Sequence, residues 1–313
     1  MDGILLINKP PRLTSHDVVQ RVRKILGIQK VGHFGTLDPM ATGLIIVAIG
    51  KATRFFSFYA KLDKNYRGQI RLGFATNTYD ADGSPSTPEN LDYPSKGIVL
   101  EKMATYVGEI EQTPPPFSAK KFKGKPLYVF ARKNQEVKPR PVTVKIHSFH
   151  LDSYDAPFIR FEASCSSGTY IRSLAHDLGQ SLGCGAHLTE LERTAIGDYQ
   201  IRSSISLEVL EKFAEEGKME KVLMPIASVL PELPKIILNE EGVALAKNGN
   251  VVFPEHIQTP PSISVEPPNT RIDHVKIYRL FSPDGRLLAL GKPLPEKNGL
   301  HPYLVIDSSD SKV

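Results

Sequence analysis

An α+β architecture, with helices packed on a mixed β-sheet and a small β-domain at the C-terminal end, is what this sequence predicts. Three observations lead there. Strand-like and helix-like segments are interspersed without the strict alternation of a doubly wound sheet. The pattern shifts after Leu223-Met224-Pro225 to short elements. The length, 313 residues, suits about two domains at the usual ~150 residues each.

The first element is the apolar run 4–7, a strand that opens into Asn8-Lys9-Pro10-Pro11. Thr14 and Ser15 then offer helix N-caps, and Val18, Val19, Val22, Ile25 and Leu26 recur at helical spacing up to Gly27, the natural C-cap. A Gly-rich connection, 32–43, holds Asp38-Pro39 and leads into a buried strand at 44–49 and a helix near 52–59. Asp38 therefore belongs to a loop between buried elements. Tyr66, Gly68, Ile70 and Leu72 alternate with Arg67, Gln69 and Arg71, a half-exposed strand ended by the turn Asp80-Ala81-Asp82-Gly83.

Residues 98–107 read as helical. The prolines 114–116 stiffen the approach to a long, partly ordered insertion with a short helix at 126–132. Strands recur at 142–148 and 158–164, and Thr169 offers an N-cap for a helix at 171–182. From Leu233 onward, short elements end in a hairpin, 275–281 with 286–290, around Pro283-Asp284-Gly285. Five prolines between Pro254 and Pro268 mark a flexible loop.

Composition narrows the function. The longest apolar run, 44–49, is far below the roughly 20 residues of a membrane helix, and Met1-Asp2-Gly3 starts no signal peptide, so a cytoplasmic protein is expected. Cys165 and Cys184 stand outside any CxxC or paired-histidine spacing, which predicts two free thiols and no zinc site. The net charge is only +5, but residues 117–145 hold nine basic side chains, among them Lys120, Lys121 and Lys123, against one acid, Glu136. Interleaved with Phe117, Phe122, Tyr128 and Phe130, that stretch suits a phosphate backbone; a solvated lysine-rich face is the plainer alternative. Walker, GxGxxG, HExxH and GxSxG patterns are absent, so the chemistries they serve lack support. The densest polar constellation is His33-Phe34-Gly35-Thr36-Leu37-Asp38-Pro39, and by itself Asp38 reads as a turn-former.

The order of several blocks says more. Gly3 to Pro10 with Thr14-Ser15-His16-Asp17, Gly32-His33 through Gly43, Lys64-Asn65-Tyr66-Arg67 with Asp80-Ala81-Asp82-Gly83, Phe117 to Lys121 with Gly124 to Tyr128, and Gly168 to Arg172 with Gly183 to His187 together resemble the TruB family of bacterial tRNA pseudouridine synthases. The match spans most of residues 3–230, and 233–307 resembles more weakly the family's PUA domain. What the resemblance implies is a pseudouridine synthase core over 1–230 with a thumb insertion at about 117–145, a PUA-like RNA-binding domain over 231–313, and isomerisation of the T-loop uridine at the family's position 55. It implies no cofactor, no metal, and a monomer whose partner is the tRNA T arm.

By the same resemblance Asp38 is the nucleophile, attacking uracil C6 or ribose C1′. Tyr66 stacks on the uracil and assists loss of the C5 proton, and Arg172 pairs with Asp38 to keep it ionised and placed. Leu191 is the pocket's apolar wall, with Tyr170 close by. Lys9 and Pro10 support the catalytic loop, and His33 fills the space of displaced bases as the target is flipped out. Lys120, Lys121 and Lys123 fall in the thumb. Phe34 departs from the small residue usual there, and is expected to crowd the RNA-facing side or to alter how His33 moves. Two rivals stand against this reading: a non-catalytic tRNA-binding or folding protein, and a metal-dependent nuclease. The nuclease has only Asp80 and Asp82 as near-clustered carboxylates, and these read as turn residues.

Overall fold

The computed structural model describes residues 1–133, 135, 137–259, 271–272 and 275–307. Strand β1 (Gly3–Lys9) leads into α1 (Ser15–Leu26), whose start is a capping box: Thr14 Oγ1 accepts from the Asp17 N–H at 3.0 Å, and the Asp17 carboxylate accepts from the Thr14 N–H at 2.8 Å. Gly27, left-handed at φ 66°, ends the helix. The short β2 (Val31–His33) occupies the start of the expected Gly-rich connection. After the loop 34–41, β3 (Thr42–Ile49) is buried almost throughout because it lies between β1, paired antiparallel over seven residues, and the middle of the sheet. The helix expected near 52–59 begins instead as a 3-10 turn, Gly50–Phe55, and becomes α2 (Phe56–Ala60).

Next come β4 (Lys64–Leu72), α3 (Lys96–Ala104) and β5 (Gly108–Gln112). The basic insertion forms a small hairpin, β6 (Lys121–Phe122) with β7 (Lys125–Pro126), and the short α4 (Leu127–Ala131). Then follow β8 (Val142–Asp155), longer than its apolar core predicts, β9 (Phe158–Cys165), and α5 (Ile171–Ser181). The N-cap of α5 is Tyr170, not Thr169, whose hydroxyl instead donates to the Ser166 carbonyl at 2.9 Å. Strands β10 (Ala186–Ile196) and β11 (Tyr199–Gln200), helix α6 (Leu207–Glu215) and β12 (Met224–Pro225) complete this part.

The sheet runs β12-β1-β3-β10-β4-β9-β8-β5, with β2 on β3 and β11 on β10. Every pairing is antiparallel except β3 with β10. β10, in the middle of the sheet, is one of the strands that patterning missed. Register shifts at 188/190 and 193/195 break its period of two, and it buries His187 and Arg193 beside its apolar residues. Its junction with β3 needs glycine: at Gly43, φ 99°, an added Cβ would meet the Arg193 carbonyl oxygen at 2.4 Å.

A second sheet, β14-β13-β17-β18-β19, follows, with α7 (Glu240–Lys247) on it. Its strands are β13 (Lys235–Leu238), β14 (Ile257–Thr259), β17 (Tyr278–Phe281), β18 (Leu287–Leu294) and β19 (Gly299–Val305). The expected hairpin is β17–β18, but it is not the last element, because β19 pairs along β18. Val275 and Lys276 form β16 (Val275–Lys276) with β15 (Arg271–Ile272) rather than extending β17. The start of the proline-rich stretch is ordered too: Pro254 opens a 3-10 turn, and β14 pairs with β13. Pro260, Pro261, Pro267 and Pro268 lie outside the described residues. The two sheets share a core in which Ile4, Phe34, Phe55 and Tyr59 pack with Leu233, Ile277, Phe281, Leu287 and Ile306. Among the described residues, no helix is long and apolar enough to cross a membrane.

Candidate active site

Asp38 stands in the loop between β2 and β3, and buried groups hold that loop from three sides. The fully buried Lys9 ammonium donates to the carbonyls of Leu13 (2.7 Å), Pro10 (3.0 Å) and Pro39 (3.2 Å). The Ser15 hydroxyl accepts from the Leu37 N–H at 2.8 Å. Arg193, 1% exposed, reaches from β10 to donate to the carbonyls of Leu44 (2.7 Å), Thr36 (3.2 Å) and Gly35 (3.1 Å). A loop with its carbonyls so occupied keeps the Asp38 carboxylate in place without paying for that order when substrate arrives. Desolvation lowers the pKa of Lys9 to about 8, against the opposing pull of Asp38.

Arg172, on the first turn of α5, meets that carboxylate with two parallel bonds, Nε to Oδ2 and Nη2 to Oδ1, both 2.8 Å. The arginine side chain is 5% exposed and the aspartate 33%, so the cation is sealed behind an anion that faces outward. Arg172 also donates to the carbonyls of Thr78 (3.1 Å) and Phe117 (3.0 Å), and its Nη1 lies 3.3 Å from Asp80 Oδ2. Asp80 does form the expected turn, accepting from the Asp82 N–H at 3.1 Å, but it is not only a turn residue. Its buried carboxylate is a second partner for Arg172, and burial pushes its pKa up.

Asp38, Tyr66, Tyr170, Arg172 and Leu191 line one cavity of about 400 Å³, together with Lys64, Lys120 and Arg193. Tyr66 stands directly opposite Arg193 in the β4–β10 ladder, and burial raises its phenol pKa while Arg193 pulls it down. Leu191, on β10, is buried apart from the cavity wall. Tyr170 is held by Gln112, whose amide accepts from its N–H at 2.7 Å and donates to its carbonyl at 2.9 Å. Lys121 and Lys123 sit on the exposed β6–β7 hairpin, off the cavity. Pro10 enters only through its carbonyl on Lys9.

His33 does not join the Asp38 cavity. It lines a neighbouring cleft of about 420 Å³ with His16, Arg23 and Phe56, and the two spaces meet at Gly35 and Thr36. Burial lowers its pKa. Phe34 does not crowd that side: its ring points into the shared core and stacks on Tyr59 with centroids 4.7 Å apart. Phe34 is the first residue after β2, and there the two side chains part, His33 to the cleft and Phe34 to the core. Sequence reasoning missed Lys64, Asp80, Gln112 and Arg193. Asp80 sat in a turn signature, and Arg193 in a strand whose bulges hid it.

A sheet carrying an arginine-clamped aspartate at a nucleotide-sized cavity defines the class of the molecule once it is compared with known folds. A chain of an H/ACA RNP bound to a substrate RNA containing 2'-deoxyuridine superposes with a TM-score of 0.72 at 25% identity, covering 98% of this chain and 86% of that one. A chain of a Cbf5-Nop10-Gar1 complex gives 0.70 at 26% identity over 98% and 86%. Family models give the class, the pseudouridine synthases. Residues 23–171 match the TruB family pseudouridylate synthase N-terminal domain, and 172–231 the tRNA pseudouridylate synthase B C-terminal domain. The tRNA pseudouridine synthase B of Solibacter usitatus is 44% identical over 250 residues, 80% of this chain and 85% of that protein. That of Clostridium kluyveri is 37% identical over 291 residues, 93% and 95% of the two chains. The chain belongs to the tRNA pseudouridine synthase B family, and is an isomerase that makes pseudouridine in tRNA.

Proposed function

We propose that the chain isomerises the T-loop uridine at position 55 of tRNA, with Asp38 as nucleophile and the target base flipped out of the loop. The observation that carries this reading is the two-bond Arg172–Asp38 pair at the wall of a cavity also lined by Tyr66 and Leu191. Arg172 pairs with the carboxylate and aims it, which a nucleophile requires. Tyr66 and Leu191 hold the uracil between a ring and an apolar wall while its N1–C1′ bond is exchanged for a C5–C1′ bond. Tyr66 then assists departure of the C5 proton. A base inside a folded loop reaches such a cavity only by leaving its stack, and the cleft around His33 borders the route.

Tyr170 borders the bound nucleotide, while Lys9 and Pro10 brace the Asp38 loop. The insertion at about 117–145 closes on the T arm as a thumb, with Lys120, Lys121 and Lys123 meeting phosphates. Residues 1–230 form the catalytic domain and 231–313 a PUA-like RNA-binding domain, in a monomeric cytoplasmic enzyme working without cofactor or metal. The test is tritium release from C5-tritiated uridine in a T-arm stem-loop. Release by wild type, with none by Asp38→Ala and binding retained, is the expected result. Release by Asp38→Ala above a small fraction of the wild-type rate overturns the nucleophile. No release by either protein, from stem-loop or full-length tRNA, leaves a non-catalytic RNA binder.

A further inference from the structure

Around the cavity the charges do not cancel. Arg172 is balanced by Asp38 and Asp80. Arg193 and Lys64 are not: both are buried, both line the cavity, and among the described residues neither forms an ion pair. Arg193 donates to the carbonyls of Gly35, Thr36 and Leu44, and Lys64 to the carbonyls of Ala60, at 2.7 Å, and Leu62. They flank Tyr66, since Arg193 is its cross-strand partner and Lys64 lies two residues before it on the same face of β4. Taking a cation out of water without a carboxylate costs several kcal/mol, so two such cations at one cavity form a field awaiting a negative charge.

Resting on the function proposed above, we infer that Arg193 and Lys64 stabilise the detached uracil as an anion. The N1–C1′ bond breaks with its electron pair on N1, and a lone pair of the Asp38 carboxylate fills the vacancy at C1′ as an ester. The uracil carries the negative charge over N1, O2 and O4. Charge has thus moved from Asp38, where Arg172 balanced it, to the base beside Tyr66, where Arg193 and Lys64 receive it. Asp80 remains as the partner of Arg172. C5 then attacks C1′ and expels the Asp38 carboxylate, the C5 proton leaves, and N1 takes one up, so no co-reactant is consumed.

The experiment compares single-turnover rates, with enzyme in excess, on T-arm stem-loops carrying uridine or 5-fluorouridine at the target. Fluorine at C5 makes the base a better leaving anion, less dependent on outside charge. Conversion is read by chromatography of digested RNA, as appearance of the C5-linked isomer for uridine, whose mass is unchanged, and as disappearance of the N1-linked nucleoside for 5-fluorouridine, which has no C5 proton to lose. Lys64→Gln and Arg193→Gln are expected to slow uridine roughly 100-fold and 5-fluorouridine no more than about tenfold. Arg193→Lys is expected to keep the wild-type ratio of the two substrates. Equal slowing of both substrates in the Gln variants overturns the inference and leaves both residues structural. If Arg193→Gln does not fold, because Arg193 grips the Asp38 loop, Lys64→Gln decides alone, since its ammonium holds the Ala60 and Leu62 carbonyls and not that loop. Failure of wild type to convert either substrate overturns the parent function instead, and this inference with it.

Discussion

Arg172 serves two carboxylates and two backbone carbonyls, and that multiplicity makes Asp80 more than a turn residue. Removing one partner of a buried ion network leaves the rest poorly compensated. Asp80→Ala is therefore expected to lower the single-turnover rate at least about tenfold, a barrier change of about 1.4 kcal/mol, with tRNA affinity within about twofold; equal rates would show that Asp38 alone holds Arg172. Lys9 makes a pH prediction. Its pKa is lowered from 10.5 to about 8 in the folded chain, so between those values the unfolded chain binds the extra proton. Stability due to Lys9 therefore rises with pH across that window. Denaturant midpoints of wild type and Lys9→Met, measured from pH 7 to 10, should diverge in favour of wild type as pH rises, and a constant difference would remove the titration. Asp38, Arg172 and Tyr66 were legible because they sit in ordered blocks that resemble a family. Asp80 was not, because Asp-Ala-Asp-Gly spells a turn whether or not a buried arginine lies behind it.

At the scale of elements, β10 joins the two halves of the sheet and carries both Leu191 and Arg193. Period-two reading could not see it, because two bulges let polar and apolar residues fall on the same face. One tight approach to it is at Gly43 on β3, where the positive φ and the approaching Arg193 carbonyl leave no room for a side chain. Gly43→Ala is expected to cost about 2–3 kcal/mol in urea unfolding; a change under about 0.5 kcal/mol would mean the junction relaxes freely. Helix α1, by contrast, is local: its capping box and glycine stop are written in Thr14, Asp17 and Gly27, and the structure has both. The basic insertion makes an electrostatic prediction. Neutralising Lys120, Lys121 and Lys123 together should flatten the plot of log affinity against log salt by about 2, at roughly 0.7–0.9 for each phosphate no longer neutralised. An unchanged slope would assign these lysines to solvent.

Over the whole molecule, the C-terminal sheet is not an independent appendage. Leu233, Ile277, Phe281, Leu287 and Ile306 close a core begun by Ile4, Phe34 and Tyr59. Truncation after residue 230 would expose that apolar surface, and the midpoint of thermal unfolding of residues 1–230 is expected to fall by more than about 5 °C. An unchanged midpoint would show two independently stable units. By itself the sequence determined the local events: the caps of α1, the turn at 283–285, the strand bearing Tyr66, and the ordered blocks that point to a uridine isomerase. These rest on near neighbours, on backbone preferences and on side-chain periodicity. Only the tertiary structure decided that Asp80 backs Arg172, that Phe34 turns inward, and that Arg193 and Lys64 face the cavity of Asp38. Those relations join residues far apart in the chain, and burial rather than local propensity sets what each charge must do.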